Sequence, residues 1–419
     1  MKKLFIAALM MVSTSAAFAG DSEPLKAILK AKDYTEAEQL LKSSLANLAS
    51  NEEKAKAYNK LMELALAKVD AEQAVQIENE TNKQMGKEGN KPVDEEGLYK
   101  AICNAIDAAV ECDKYDKMPN EKGKTKQKFA ANGQRLYNLR GQLINGGIYF
   151  QNIKDDANAY KYLASYVDSY DYPLFDGVKA EDQNLGNIAY YASIYAYQNK
   201  EFAKAEKYVV KAISDPERSA EAKALQLQIL QAQLKTHEDS LNYVKKLEGL
   251  LVADSNNEAV FINLANMYSL IGQTEKADKM IADKLAADPN NYSALTMKGQ
   301  VASQRKDYDT AIEALEKALP QAKDDDTRII LNSAIGQCYF YKAQDKVNAV
   351  KGVLTPAAKQ QFDAVYQKAI DYLEAAKALD VTKAQKSSWA YPLYGCYYFV
   401  KGADAPETSE AAAVAGVAQ

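Results

Sequence analysis

The sequence predicts an all-α protein, a right-handed superhelical solenoid of antiparallel helix pairs, and three observations support this fold class. Its 419 residues include only 19 Gly and 10 Pro, fewer than a protein with many turns would carry. Apolar and small residues recur at spacings of three and four, the period of amphipathic helices. The segments Asp254-Ser-Asn-Asn257 and Asp288-Pro-Asn-Asn291 are offset by 34 residues, so the chain repeats a unit of that length.

Residues 1–19 have the pattern of a secretory signal peptide. Lys2 and Lys3 form a basic start, residues 4–12 an apolar run, and residues 17–19 a small-x-small cleavage site. We expect a cleaved, exported protein in the bacterial periplasm, with secretion as the second choice and an uncleaved N-terminal anchor as the alternative. No later segment approaches about 20 uninterrupted apolar residues, so no direct membrane span is expected.

Residues 20–135 are expected to form an N-terminal helical region with one degenerate repeat and long loops. The second-helix half of that repeat is indicated by Tyr34, Ala37 and Leu41. Residues 86–97 and 115–126 are polar and contain Gly and Pro, which is typical of loops.

Residues 136–402 are expected to form the repeat array, and two adjacent units carry the strongest pattern. Two antiparallel helices approach closely only where small side chains face each other, and bulky neighbours then fill the gaps. The unit 258–291 has such residues at Phe261, Leu264, Ala265, Tyr268, Ala277, Ile281 and Pro289. The unit 292–325 has them at Leu295, Gly299, Ala302, Tyr308, Ala311, Leu315 and Ala318.

This pattern resembles the tetratricopeptide repeat (TPR) family, in the form of an exported bacterial member. Lys284 and Lys298 depart from the family pattern at one position each. Weaker units extend the resemblance over most of 22–402, with an insert near 343–363. The tail, 403–419, lacks amphipathic order and is expected to be disordered.

The resemblance implies a binding scaffold whose first helices line a concave ligand face. At the ligand-facing positions and their immediate neighbours the sequence places Tyr190, Tyr197, Asn263, Asn266, Thr296, Gln300, Gln304, Ser333 and Gln337. These side chains offer hydrogen-bond donors and acceptors that suit a peptide backbone or a sugar. The family's lysine clamp for a terminal carboxylate is missing, because Ile262 and Thr296 stand at its position.

The residue inventory argues against an enzyme and against a cofactor or metal. His237 is the only histidine, so two-histidine metal sites cannot form within one chain, and we expect it to be an exposed turn residue. No Gly-rich phosphate loop follows a strand, and the Gly141–Gly147 segment is better explained by close helix packing.

Charge argues against a nucleic-acid partner. The formal charge of −5 becomes −7 without Lys2 and Lys3, and nucleic-acid binders concentrate basic charge instead. We therefore expect a protein or peptide partner. The alternatives are a glycan-capturing protein or an envelope-assembly component of an outer-membrane complex.

The four cysteines leave two alternatives open. Cys103 and Cys112 lie nine residues apart in a helical stretch, on opposite sides of one helix, so they cannot pair. Cys338 and Cys396 occupy nearly the same place on neighbouring first helices, which makes a disulfide conceivable. Four buried thiols that act as small hydrophobes are the favoured alternative.

Overall fold

The computed structural model describes residues 20–87, 89–120 and 123–417, so the predicted signal peptide lies outside the described residues. Helices are the regular secondary structure of the described residues, which contain no strand. Consecutive helices pack as pairs joined by short turns, and the prediction of an all-α fold of antiparallel helix pairs is confirmed. The chain divides into two compact units, Met1–Leu230 (unit 1) and Gln231–Gln419 (unit 2).

Unit 1 is built mainly from four helix pairs: α1 with α2, α3 with α4, α6 with α7, and α8 with α9. The expected boundary between residues 135 and 136 falls inside α5, within unit 1. The helices are α1 Glu23–Lys30, α2 Tyr34–Ser44, α3 Asn51–Gln84, α4 Glu95–Asp116, α5 Asn132–Tyr137, α6 Gln142–Asn152, α7 Asp156–Ser169, α8 Leu185–Gln198, α9 Phe202–Ile213 and α10 Ser219–Gln231, whose last residue opens unit 2.

In each helix pair we call the leading helix the first helix and the following helix the second helix. Unit 2 contains one second helix, α11, and four helix pairs that start at α12, α14, α16 and α18. The helices are α11 His237–Ala253, α12 Glu258–Leu270, α13 Thr274–Ala287, α14 Tyr292–Gln304, α15 Tyr308–Ala318, α16 Asp325–Asn348, α17 Pro356–Leu379, α18 Lys386–Lys401 and α19 Pro406–Ala415.

The segments that revealed the 34-residue period are helix N-caps. The Asn257 side chain accepts a hydrogen bond from Val260 N at 3.1 Å, and Asn291 accepts one from Ala294 N at 2.9 Å. An N-cap side chain satisfies one of the unpaired backbone N–H groups at a helix start. The repeated Asn therefore marks the residue before α12 and the residue before α14.

A recurring glycine contact sets the distance between paired helices. A Cβ added at Gly299 would lie 2.5 Å from Leu315 Cγ, and one added at Gly336 would lie 2.6 Å from Leu373 Cγ. Gly147 of α6 meets a leucine of α7 in the same way. Only a residue without a side chain permits this approach, so the close-packing role expected for this glycine is confirmed.

The turn inside the four pairs that start at α6, α8, α12 and α14 has a left-handed residue two positions after the first helix ends. Gly272 has φ +77° at this position, whereas Lys154, Lys200 and Lys306 have φ of 61°, 61° and 62°. Left-handed backbone is uncommon for a residue with a side chain. The repeated turn is therefore visible in the backbone of both units although lysine gives no turn signal in the sequence.

Tyrosine hydroxyls connect first helices to the preceding second helices in unit 2. Tyr268 donates to Glu248 Oε1 at 2.6 Å, and Tyr397 donates to Glu374 Oε1 at 3.0 Å. Tyr339 donates in the same way to Glu316 at 3.1 Å. These rings are packed in the core or at its edge while their hydroxyls reach a carboxylate, which accounts for part of the tyrosine surplus.

The insert near 343–363 lengthens a helix pair. It supplies the last turn of α16, the connection 349–355 and the first turns of α17, and both helices span 24 residues. Although its helices are longer, the α16–α17 pair keeps the close glycine–leucine contact of other pairs, here between Gly336 and Leu373.

The tail differs from the prediction of disorder, because residues 406–415 form α19. Pro406 starts this helix, and Ala411 and Ala412 are 4% and 3% exposed against the rest of unit 2. Thr408 Oγ1 donates to Gly402 O at 2.8 Å. The buried residues are Thr408, Ala411 and Ala412, and Val414 is partly buried beside them, so small residues rather than a row of large apolar ones form the contact.

All four cysteines are buried and free. Burial raises the pKa of Cys103 to about 11 and that of Cys112 to about 12. Their environment is that of small hydrophobes held in the thiol form.

Candidate binding face

The candidate binding face of unit 2 lies on its first helices, α12, α14, α16 and α18. Contacts join α12 to α14 and α16 to α18 directly, so neighbouring first helices lie side by side. Each first helix buries one side against its own second helix, as Gly299 and Gly336 do. The side chains on the remaining surface are therefore presented next to those of the neighbouring first helix.

An amide pair joins α12 to α14. Gln300 Nε2 donates to Asn266 Oδ1 at 3.0 Å, and the two residues are separated by one 34-residue repeat. Gln300 is exposed and Asn266 is half-buried. Among the described residues no hydrogen bond uses Gln300 Oε1 or Asn266 Nδ2, so the pair keeps one unused acceptor atom and one unused donor atom.

Asn263 lies on the same helix but is engaged within the chain. Its Oδ1 accepts from Gln231 Nε2 at 2.5 Å, and its Nδ2 donates to Ala259 O at 2.8 Å. Tyr243 also donates to this Oδ1, at 3.4 Å. Asn263 therefore fastens α12 to its neighbours rather than presenting free groups.

Two further predicted residues lie on α14. The Thr296 hydroxyl donates to Tyr292 O at 2.8 Å, one turn earlier in the helix. Gln304 is exposed at the C-terminal end of the helix. Gln304 lies one turn from Gln300, so it can extend the amide surface along α14.

Ser333 and Gln337 hold α18 against α16. Pro392 lies inside α18 and has no backbone N–H. The carbonyl oxygen of Ser388, four residues before Pro392, therefore lacks its usual helical hydrogen bond. Gln337 Nε2 donates to this Ser388 O instead. The buried Ser333 hydroxyl accepts from Ser388 Oγ at 3.0 Å. Gln337 therefore satisfies the carbonyl that Pro392 leaves unpaired, and Ser333 helps to hold α18 against α16.

The Gln337→Ala variant is expected to lose about 1 kcal/mol of unfolding free energy, because Ser388 O loses its donor. Urea denaturation followed by circular dichroism measures this change. Gln304→Ala is the matched control, since Gln304 is exposed and makes no side-chain hydrogen bond among the described residues, and its effect should stay within about 0.5 kcal/mol. Equal stability of the two variants would contradict the role assigned to Gln337.

Tyr190 and Tyr197 lie on α8 of unit 1, and both are half-buried. The Tyr190 ring lies 5.4 Å from the Arg218 guanidinium, and the Tyr197 ring is tilted against Phe202 at a centroid distance of 6.2 Å. Both rings therefore have packing partners within unit 1.

A tyrosine face on α18 was not among the predicted site residues. Tyr391, Tyr394 and Tyr398 share one side of the helix, and Tyr391 and Tyr398 are 56% and 53% exposed. The opposite side buries Trp389 and Cys396 at 1% and 0%. Spacing of three and four residues was the available sequence signal, but it is also the spacing of core residues.

A polar cavity of about 310 Å³ lies in unit 1 beside Arg140. The Arg140 guanidinium, which is almost fully buried, donates to Ser169 Oγ at 2.9 Å, to Tyr166 O at 2.9 Å and to Asp182 Oδ2 at 3.3 Å. Tyr166 OH donates to the other Asp182 oxygen at 2.5 Å. Burial and this bond raise the pKa of Tyr166. Arg140 is thus paired inside the chain and joins α7 to the segment before α8.

The described residues offer no constellation for metal binding. His237 is exposed and is the first residue of α11, next to the N-cap Thr236. No group of His, Cys, Asp and Glu in the described part of the chain could hold a metal ion. Within the same residues, no helix is long and apolar enough to cross a membrane.

The solved structures that are similar to this chain include two TPR proteins. No protein-family model matches the chain. No curated protein matches it. A TPR repeats protein from Bacteroides fragilis NCTC 9343 is 17% identical, with a TM-score of 0.30, over 60% of this chain and 97% of that chain. A tetratricopeptide repeat protein from Parabacteroides merdae ATCC 43184 is 10% identical, with a TM-score of 0.34, over 66% and 98%.

A third similar structure is a monomeric mutant of IFIT1 with m7Gppp-AAAA. It is 14% identical over 95% of this chain and 79% of that chain, with a TM-score of 0.40. All three TM-scores lie below 0.5, so the interpretation of the binding face depends on the contacts within this chain.

Proposed function

We propose that this protein is an exported, non-enzymatic repeat scaffold that binds a protein or peptide segment through the first-helix face of unit 2. The observation that carries the proposal is the Asn266–Gln300 amide pair, in which Asn266 Nδ2 and Gln300 Oε1 form no hydrogen bond among the described residues. An extended peptide backbone offers a matching C=O and N–H at each residue. The bond between the two amides fixes their orientation, which lowers the entropy lost on binding.

Apolar surface beside the amide pair supports the same function. Leu270, one turn after Asn266 on α12, is 76% exposed. Protein interfaces combine buried apolar contacts with a limited number of direct hydrogen bonds. Export is part of the proposal because residues 1–19 have the pattern of a signal peptide.

The test compares wild-type protein with the Asn266→Ala/Gln300→Ala variant. Each is expressed in full length with a C-terminal tag and crosslinked in cells, and captured proteins are identified from periplasmic and envelope extracts. The wild type should capture a specific partner, and the amide variant should lose it at unchanged thermal stability. The tagged protein should have the mass of a chain that starts near residue 20.

The matched control is Lys279→Ala/Asp283→Ala, which removes an exposed ion pair of 2.6 Å from the second helix α13. This variant should capture the same partner as the wild type. Retention of the partner by the amide variant, or its equal loss in the control, would place the binding surface elsewhere.

A further inference from the structure

The connection between α16 and α17 carries apolar side chains at the end of a helix pair. Val353 is 94% exposed, and among the described residues no large apolar side chain is more exposed. Val350 is 37% exposed, and Leu354 beside Val353 is half-buried. Exposed apolar side chains that stand together point to an interaction surface, which a single one does not. We call residues 346–359 the hairpin tip.

The hairpin tip projects beyond the neighbouring helix pairs. Measured from the recurring glycine contact, α16 continues seven residues farther past Gly336 than α14 does past Gly299, which corresponds to about 10 Å. On the other side, Phe399 of α18 packs on Tyr366 of α17 with ring centroids 4.5 Å apart. The helix α18 ends two residues after this contact, whereas α17 begins ten residues before it, a difference of about 12 Å. The hairpin tip is therefore the part of this edge that meets a flat surface first.

The hairpin tip is positively charged. Residues 346–362 contain Lys346, Lys351 and Lys359 and no carboxylate. Lys359 forms an ion pair with Asp363 at 2.8 Å. Among the described residues neither Lys346 nor Lys351 forms an ion pair, so two lysine charges next to Val350 and Val353 are uncompensated.

Carboxylates around the base of the hairpin do not cancel this charge. Three of them form ion pairs with lysines of the same region: Asp345 with Lys306 at 3.7 Å, Asp309 with Lys342, and Glu407 with Lys401 at 2.5 Å. Asp307, which caps α15, and the exposed Asp404 before α19 form no ion pair among the described residues. Both lie in the turns of the shorter pairs, behind the tip by about one Debye length at 0.1 M salt.

An anionic lipid surface suits this combination better than a protein does. At a bilayer, apolar side chains enter the boundary between headgroups and acyl chains, while lysine stems extend and keep the ammonium groups at the headgroups. Each lysine near an anionic leaflet strengthens binding by about fivefold. Lysine is depleted in protein interfaces. A narrow tip with three apolar side chains also buries far less than the roughly 800 Å² per partner of a stable protein interface.

We propose that the hairpin tip binds the surface of an anionic lipid bilayer, with Val350, Val353 and Leu354 in the headgroup boundary and Lys346 and Lys351 at the lipid phosphates. The contact is peripheral and reversible, because it combines a small apolar group with a few charges and requires no spanning helix. It goes beyond the proposed function, since its partner is a lipid and it does not involve the amide pair on α12 and α14.

The first test measures flotation of mature protein, residues 20–419, with vesicles of phosphatidylethanolamine and phosphatidylglycerol. Lys346→Gln/Lys351→Gln should weaken binding about tenfold or more, and added salt should weaken the wild type in the same direction. Val350→Asp/Val353→Asp should also weaken binding about tenfold or more, because it removes the inserted apolar groups. Val381→Asp is the matched control: Val381 is 85% exposed in the turn before α18, at the opposite end of α17, and its substitution should not change binding.

A second test reports insertion directly. Tryptophan in place of Val353 should be quenched by vesicles that carry brominated acyl chains, whereas Val381→Trp should not. The native Trp389 is 1% exposed in the core, so its emission should be the same constant background in both variants. Neither position is buried, so both variants should keep the circular dichroism of the wild type.

Four outcomes would overturn the proposal. They are equal binding of the wild type to neutral phosphatidylcholine vesicles, full flotation of Val350→Asp/Val353→Asp with unchanged circular dichroism, no quenching of Val353→Trp, and loss of a crosslinked protein by the aspartate variant in the absence of any vesicle binding. The last would show that a protein covers the tip. Asn266→Ala/Gln300→Ala should bind vesicles normally, so this proposal and the proposed function can fail separately.

Discussion

Replacing Arg140 with alanine is expected to lower the free energy of unfolding by about 3–5 kcal/mol, because it removes one partner of a buried ion pair. The Arg140 and Asp182 side chains are 3% and 10% exposed. Without the guanidinium, Asp182 keeps, among the described residues, the Tyr166 hydroxyl and the Asn184 N–H as donors, at 2.5 and 3.2 Å. The aromatic rings of Tyr166 and its neighbours also lose a cation that lies 4.8 Å from the nearest ring centroid.

Arg135→Ala is the control for this prediction. Arg135 also forms an ion pair, with two bonds of 2.5 and 3.0 Å to Glu63, but both side chains are almost half exposed. An exposed pair contributes about 1 kcal/mol or less. Urea denaturation monitored by circular dichroism should therefore separate the two arginine variants clearly.

A double variant distinguishes charge from packing at this site. Arg140→Met/Asp182→Leu removes both charges and keeps apolar volume, so it should be less destabilised than Arg140→Ala. A double variant as unstable as the single one would show that Arg140 acts mainly through its other contacts, such as Ser169 and the Tyr166 carbonyl.

The repeat could be predicted from the sequence because its determinants are local. The Asn residues before α12 and α14 are helix caps, and the small residues Gly299 and Gly336 lie where helices of a pair meet. Such signals depend on residues at fixed spacing within one unit, which a single sequence displays. The turns at Lys154, Lys200 and Lys306 could not be predicted, since a left-handed lysine is held by the helices around it.

The candidate site was harder to predict, because it depends on which polar side chains find partners in the fold. Gln300 and Gln337 occupy comparable places on neighbouring first helices. Gln300 keeps a free acceptor, whereas Gln337 donates to a carbonyl that Pro392 leaves unpaired. Pro392 lies 55 residues after Gln337 in the sequence, so only the packing of α18 against α16 connects them. Polar residues at repeat positions are thus recognisable in the sequence, but their availability to a ligand is a tertiary property.

Alanine substitution is expected to change the free energy of unfolding in opposite directions at closely packed and at open glycine positions of this chain. Gly299→Ala and Gly336→Ala should each lower the free energy of unfolding by about 1–3 kcal/mol, because the added methyl group meets Leu315 or Leu373 and forces the paired helices apart. Gly249, inside α11, has open space around its Cβ position and no left-handed backbone. Gly249→Ala should therefore stabilise the protein by about 0.5–1 kcal/mol.

Helix propensity alone would make all three alanine variants more stable, since alanine is the better helix former at every one of these positions. Opposite signs in urea denaturation would therefore isolate the cost of the close helix approach from the local preference of the backbone. Stabilisation by Gly299→Ala or Gly336→Ala would mean that the leucine side chains can move aside, and that the spacing of paired helices does not depend on a residue without a side chain. Because the two glycines belong to different helix pairs, agreement between them would tie the cost to the repeat itself rather than to one local contact.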